Sequence, residues 1–149
     1  MITACALTGH RRLKDDFEEA ALFERLKQLI DDGCKTFYCG MAMGFDLKAC
    51  ECLLKMKKTY DIEIVACVPA PEQPDRYPKQ EKERYQRLLS LCDRKHVSCE
   101  HMTQFCFFER NRYMVDHCDV LVAYLYEKRG GTAYTVNYAR QKGKKILFV

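Results

Sequence analysis

No tryptophan occurs in this chain, all four prolines fall between positions 69 and 78, and no apolar run is longer than a strand. The last absence excludes a membrane-spanning helix, which needs about 20 consecutive apolar residues. Confining proline to one window spares the rest of the chain its breaking effect and marks 69–78 as surface loop. No secretory leader is recognisable either: Met1-Ile2-Thr3-Ala4-Cys5 has no basic start, and Gly9-His10-Arg11-Arg12 ends the apolar run early. A cytoplasmic location is therefore expected.

Cysteine, by contrast, is plentiful, with ten in 149 residues. Cys5, Cys39 and Cys67 lie in strand-like runs and Cys50 and Cys92 on helical stripes, so reduced thiols acting as small hydrophobes are expected. Cys92, His96, Cys99 and His101 crowd together, but no Cys-x-x-Cys pair accompanies them and their spacing fits no common zinc pattern. No metal site is expected. The 48% hydrophobic and 31% charged content is that of an ordinary single globular domain spanning 1–149. Lys and Arg outnumber Asp and Glu by 25 to 21, a bias that suits a small anion without demanding a polymer.

Hydrophobic periodicity gives alternating elements. Strands are expected over 2–8, 36–39, 62–68, 95–98, 119–126 and 145–149. Helices are expected over 16–32, 45–58, around Tyr85–Cys92, over 104–117 and over 132–142. That order predicts an α/β fold: a Rossmann-like three-layer sandwich around a mostly parallel sheet of five to six strands. The place of the 95–98 strand stays open. The 69–78 loop reads equally as a flap over a ligand or as a plain crossover.

Three apolar runs end in glycine turns that open helices. They are Thr8-Gly9-His10-Arg11, Gly40-Met41-Ala42-Met43-Gly44-Phe45-Asp46 and Arg129-Gly130-Gly131-Thr132. Glycine permits close approach of the backbone, and the first amides of a helix are unpaired donors for an anion. Asp46 either caps its own helix or accepts from a ribose hydroxyl, while Glu51 reads as an ordinary helix charge. Arg110, Asn111 and Met114 share a helix face able to hold phosphate, sugar and base edge; alternatively Arg110 pairs with Glu109 or Asp116 on the surface. Valine at Gly44 or Gly131 is expected to abolish ligand binding in a folded chain.

These segments, together with Arg110-Asn111-Arg112-Tyr113-Met114-Val115-Asp116 leading to Asp119 and Gly130-Gly131-Thr132-Ala133-Tyr134-Thr135, resemble the SLOG superfamily. This Rossmann-like group joins the DNA-processing protein DprA (Smf) and the LOG enzymes, and the likeness is greatest to small bacterial YpsA/YspA-type proteins. The resemblance implies a nucleotide-derived ligand, AMP-like or ADP-ribose-like, held at the glycine turns by a sensor or regulatory module. It implies no cofactor, and since relatives commonly pair it is compatible with a homodimer. As an alternative it implies a nucleoside-monophosphate phoshoribohydrolase with Arg110 in the site. There, however, Thr135 stands where such enzymes carry glutamate, leaving Asp46 or Glu51 as candidate catalytic carboxylates. A second alternative is a DprA-like single-stranded DNA module. The weak charge and the missing tryptophan disfavour a nucleic-acid partner, and Phe105, Phe107 and Phe108 are expected on a buried helix face.

Overall fold

The computed structural model describes residues 1–149. Its strands are β1 (Ala4–Gly9), β2 (Thr36–Cys39), β3 (Glu63–Val68), β4 (Arg94–Val97), β5 (Val120–Tyr124) and β6 (Lys145–Phe148). Between them run α1 (Glu19–Asp31), α2 (Phe45–Met56), α3 (Lys79–Leu91), α4 (Cys106–Asp116) and α5 (Gly131–Gln141), with a 3-10 turn at Gln73–Arg76. All six strands are parallel, in the order β4-β3-β2-β1-β5-β6. The sheet grows outward from β1 to β4, and the chain then crosses back to place β5 on the far side of β1. Right-handed crossovers put α1, α2 and α3 on one face and α4 and α5 on the other.

Two cores result, and the strands divide their side chains between them with the period of two. Cys5, Leu7, Ile64, Ala66, Val120 and Val122 meet Leu22, Leu26, Leu47, Leu53 and Leu88 in a cluster of 24 buried residues. Ala6, Val65, Cys67, Leu121 and Ala123 meet Met114, Val115, Val136 and Ala139 in a cluster of 11. Each fully buried leucine contributes about 2 kcal/mol by leaving water. Near-continuous apolar runs such as Val120–Tyr124 arise because both faces of the central strands are covered.

The 95–98 segment takes the outer edge, where Arg94 lies opposite Val65 and Lys95 opposite Ala66. β4 is only four residues long and largely exposed, and β6 on the other edge begins with exposed Lys145. Short cationic edges discourage pairing with a foreign strand. At the opposite end of the sheet from the glycine turns, the Asp119 carboxylate accepts from the amides of Thr3 and Ala4 at 2.9 and 3.0 Å, pinning the start of β1 beside β5. No helix is long and apolar enough to cross a membrane.

Candidate functional site

Strand order reverses between β1 and β5, and in open parallel sheets the crevice beyond the carboxyl ends of such strands receives ligands. All three glycine turns follow carboxyl ends of β1, β2 and β5, so topology brings them to one edge. Their glycines nevertheless serve different purposes.

The first two turns interlock. The Phe45 amide donates to the His10 carbonyl at 3.1 Å, which uses up a helix-start donor expected to face a ligand. A Cβ on Gly9 would overlap the Phe45 ring, and one on Gly44 would overlap the Arg11 carbonyl. Gly44 also holds φ at 81°, a conformation that side-chain-bearing residues rarely adopt. These glycines permit chain to meet chain. The expectation that valine at Gly44 leaves the fold intact is thus overturned: the new side chain would collide with main chain in a strained conformation.

Gly40 lies over a buried polar knot. A Cβ there would come within 2.7 Å of Asp46 Oδ2 and 3.0 Å of an Arg110 terminal nitrogen. Arg110 is buried and donates to the carbonyls of Gly40 and Cys67 and, through Nε at 2.7 Å, to Asn111 Oδ1. Gln73 Nε2 also reaches the Gly40 carbonyl at 2.9 Å, and the Tyr77 hydroxyl donates to the Met41 carbonyl at 3.1 Å. Burial pushes the Asp46 carboxyl up to about 6, against the opposing attraction of Arg110 and the hydrogen bond from the Ala42 amide. Burial likewise lowers the Arg110 guanidinium, with Asp46 resisting. Asp46 Oδ1 and Gln73 Oε1 are buried without a partner.

This knot corrects several expectations. Arg110 is no surface partner of Glu109 or Asp116; it ties β2, β3 and α4 together from inside. Met41, at φ 63°, sends its side chain into the larger core and Met114 sends its own into the smaller, so neither thioether lines a ligand surface. The 69–78 loop is pinned to the Gly40 turn through Gln73 and Tyr77, which makes it a fixed roof rather than a flap. Asp46 neither caps α2 by its side chain nor stands free, since its carboxylate accepts from Ala42 at 3.3 Å and faces Arg110.

The β5–α5 turn is open. Gly130 holds φ at 94°, α5 begins without a side-chain cap, and a Cβ on Gly130 or Gly131 would meet nothing within 4 Å. The amides at the start of this helix therefore lack intrahelical acceptors. Thr8 at the end of β1 and Thr132 in the first turn of α5 are 8% and 7% exposed, small hydroxyl-bearing side chains at the two lips of the crevice. His10 bridges them: its Nε2 accepts from the Glu127 amide at 3.3 Å and its ring lies 4.2 Å from that of Tyr126. Burial lowers its pKa, so the neutral imidazole is favoured. Arg11 is exposed beside it.

None of the candidate catalytic positions offers a free carboxylate. Glu51 is held by Arg84 and Arg87 of α3, and Asp46 by the buried knot. Thr135 gives its hydroxyl to the Gly131 carbonyl at 2.8 Å. No group of three or more His, Cys, Asp or Glu side chains is placed to hold a metal ion.

A surface missed in sequence lies beside the open turn. Phe105, Phe107 and Phe108 are 60%, 43% and 39% exposed, contrary to the buried face expected for them. Phe108 meets the Tyr134 ring edge-on at 4.6 Å, and Arg112 donates to the Tyr134 hydroxyl at 2.7 Å while lying over the Tyr138 ring. Both helices start at the carboxyl edge, so these rings adjoin the Gly130–Gly131 turn. The signal was available. Cys106, Arg110 and Met114 repeat every four residues as the inward stripe of α4, and the phenylalanines fall off it.

A doubly wound parallel sheet with glycine turns gathered at its carboxyl edge defines a Rossmann-like domain. Within that class the chain belongs to the YspA SLOG family, whose family model matches residues 11–147. Among its relatives, a UPF0398 protein of Bacillus cereus strain B4264 is 29% identical over 133 residues, covering 83% of this chain and 70% of that protein. The SPbeta prophage-derived protein YoqJ of Bacillus subtilis is 30% identical over 118 residues, covering 70% and 69%. Among solved structures, DprA from Streptococcus pneumoniae superposes with a TM-score of 0.70 at 21% identity over 99% of this chain. DprA from Helicobacter pylori, described for its single-stranded DNA binding mode, gives 0.71 at 17% identity over 98%. This chain spans 50% of the first DprA and 64% of the second, and the likeness is one of fold.

Proposed function

We propose that this chain binds a nucleotide-derived small molecule, AMP-like or ADP-ribose-like, with its phosphate on the amides that open α5. The observation that carries this reading is the uncapped α5 start at the β1–β5 reversal, where space around Gly130 and Gly131 is empty. An aligned helix start attracts a phosphate, and Thr8, Thr132 and Arg11 supply further donors around it. Binding without turnover is favoured over N-glycosidic cleavage, because both candidate carboxylates, Asp46 and Glu51, are already engaged by arginines of the protein itself. A thermal-shift screen over AMP, ADP-ribose and the parent nucleosides tests it. Phosphate-bearing ligands should raise the melting temperature, nucleosides should do so far less, and Gly131→Val should remove the difference. Equal shifts from adenosine and AMP would refute it.

A second reading, single-stranded DNA, is favoured by the exposed Phe105, Phe107 and Phe108 beside Tyr134 and Arg112. Stacking on such rings contributes about 1–3 kcal/mol per base. Of the reasons that disfavoured a nucleic-acid partner, burial of these phenylalanines does not hold, while the weak net charge and the missing tryptophan stand. Fluorescence anisotropy with a labelled oligonucleotide separates the readings, since strand binding weakens steeply as salt is raised.

A further inference from the structure

The outer face of α2 and α3 carries a groove that plays no part in the crevice. Both helices run from the carboxyl edge of the sheet to its amino edge, and the groove, of about 510 Å³, lies between their C-terminal halves. It therefore sits at the end of the molecule away from the glycine turns. Along α2 and just past its end, Glu51, Leu54, Lys55 and Lys58 recur at three- and four-residue steps, which puts them on one face. Arg87, Leu88 and Leu91 of α3 form the facing side.

The floor of this groove is leucine and its rim is cationic. Leu88 is buried and Leu54 packs against the larger core, but Leu91 is 54% exposed in the last turn of α3. A leucine that open, continuous with two others, leaves apolar surface that the chain itself does not cover. Lys55, Lys57, Lys58 and Arg87 surround it with a single carboxylate, Glu51. That carboxylate is held chiefly by Arg84, whose Nε donates to it at 3.0 Å, so Arg87 at 3.7 Å is a cation it does not neutralise. Lys57 pairs with Asp93, Lys55 approaches Glu19 only to 3.9 Å, and Lys58 is exposed without an ion pair.

Three kinds of occupant fit this surface poorly. A small molecule is held with most of its area enclosed, which a floor half open at Leu91 does not provide. A bilayer takes up protruding apolar side chains, whereas Leu54 and Leu88 form a recess. A nucleic-acid strand needs rings to stack on, and the groove has none. A helix that brings apolar residues of its own meets every requirement: side chains at three- and four-residue spacing fill a groove, and carboxylates on their flanks meet the rim. We propose that the α2–α3 groove docks an acidic amphipathic helix of a partner protein, with its apolar side chains on Leu54, Leu88 and Leu91 and its carboxylates against Lys55, Lys58 and Arg87. The leucine floor holds the helix, while the cations hasten its arrival and set its orientation.

The test uses the full chain and a fluorescein-labelled helical peptide of leucine, glutamate and alanine, its leucines spaced three and four apart, followed by fluorescence anisotropy. This peptide should bind saturably, and neither a scramble of the same composition nor a counterpart with lysine in place of glutamate should do so. Leu91→Ser should weaken binding about five- to tenfold, the loss expected from removing roughly half of a leucine's burial. Lys58→Glu should weaken it strongly at low salt and less at high salt, where exposed charges are screened. Both positions are exposed, so circular dichroism should show each variant folded, and any thermal shift given by AMP should be the same as in the natural chain. The proposal is overturned if the acidic peptide fails to saturate below about 1 mM, if the scramble or the lysine peptide binds equally, or if either variant binds as the natural chain does. Binding of phosphatidylglycerol vesicles or of decanoate, or self-association, that Leu91→Ser abolishes would assign the groove to a membrane, a small amphiphile or a second copy, and would equally overturn it.

Discussion

Replacing Asp46 by asparagine should flatten the pH dependence of folding stability. In the folded chain burial raises this carboxyl from 3.8 to about 6, even with Arg110 beside it. A difference of that size corresponds to about 3 kcal/mol, the extent to which ionised Asp46 is less favourable inside the fold than in water. Between the two pKa values the folded chain binds the proton and the unfolded chain does not, so this residue adds stability as pH falls from about 7 to about 4 and withdraws it as pH rises. Asparagine keeps the shape and cannot ionise. The variant should match the natural chain near pH 4 and exceed it by up to about 3 kcal/mol near pH 8. Urea unfolding monitored by circular dichroism at half-unit pH steps measures this directly. His10 and His96, whose pKa values burial lowers, pull the other way in the same window. The comparison between variant and natural chain cancels their contribution. Identical pH slopes for the two proteins would refute the reasoning and mean that Asp46 is ionised at little penalty in the folded state.

Arg110→Ala should destabilise the fold by about 3–5 kcal/mol, because it strands the buried Asp46 carboxylate and removes a donor from the Cys67 and Gly40 carbonyls, the latter keeping only Gln73; a loss under about 1 kcal/mol in urea would contradict an internal tie. Gly44→Val should prevent stable folding while Gly131→Val folds normally and loses phosphate ligands, a contrast read by circular dichroism and thermal shift. Phe107→Ala with Phe108→Ala should leave the chain folded, at a cost of about 1–3 kcal/mol in urea from the half-covered rings and the lost Phe108–Tyr134 contact, and weaken oligonucleotide binding if the strand reading holds. Hydrogen bonds from Thr3, stronger than the effect of burial, hold the Asp119 carboxyl below its usual range. Its contribution is present above the ordinary carboxylate pKa and disappears as pH falls through the lowered one, so Asp119→Ala should lower the melting temperature at pH 7 and make little difference at pH 2.

Element order was readable because each central strand is apolar throughout and each helix repeats its apolar residues every three or four positions. The edge position of β4 was not. Arg94–Val97 has neither a buried run nor a clean alternation, so nothing local says which neighbour it joins. The glycine turns were correctly seen as special, but a missing Cβ is demanded equally by a bound phosphate and by another turn of the same chain. Only the folded geometry separates Gly9 and Gly44, which meet protein, from Gly130 and Gly131, which meet open space. Arg110 misled because a charged residue on a helix is usually solvated, and its carbonyl acceptors at Gly40 and Cys67 are distant in sequence.

The mutual fit of the β1 and β2 turns makes one wall of the crevice a fixed jaw. Tyr124 and Tyr126 tie the end of β5 to the same wall, the Tyr124 hydroxyl accepting from the Lys14 amide and the Tyr126 hydroxyl donating to the Arg12 carbonyl. Past Glu127 the Lys128-Arg129-Gly130 bend is exposed, so the rim facing that jaw presents two cations on the approach to the open start of α5.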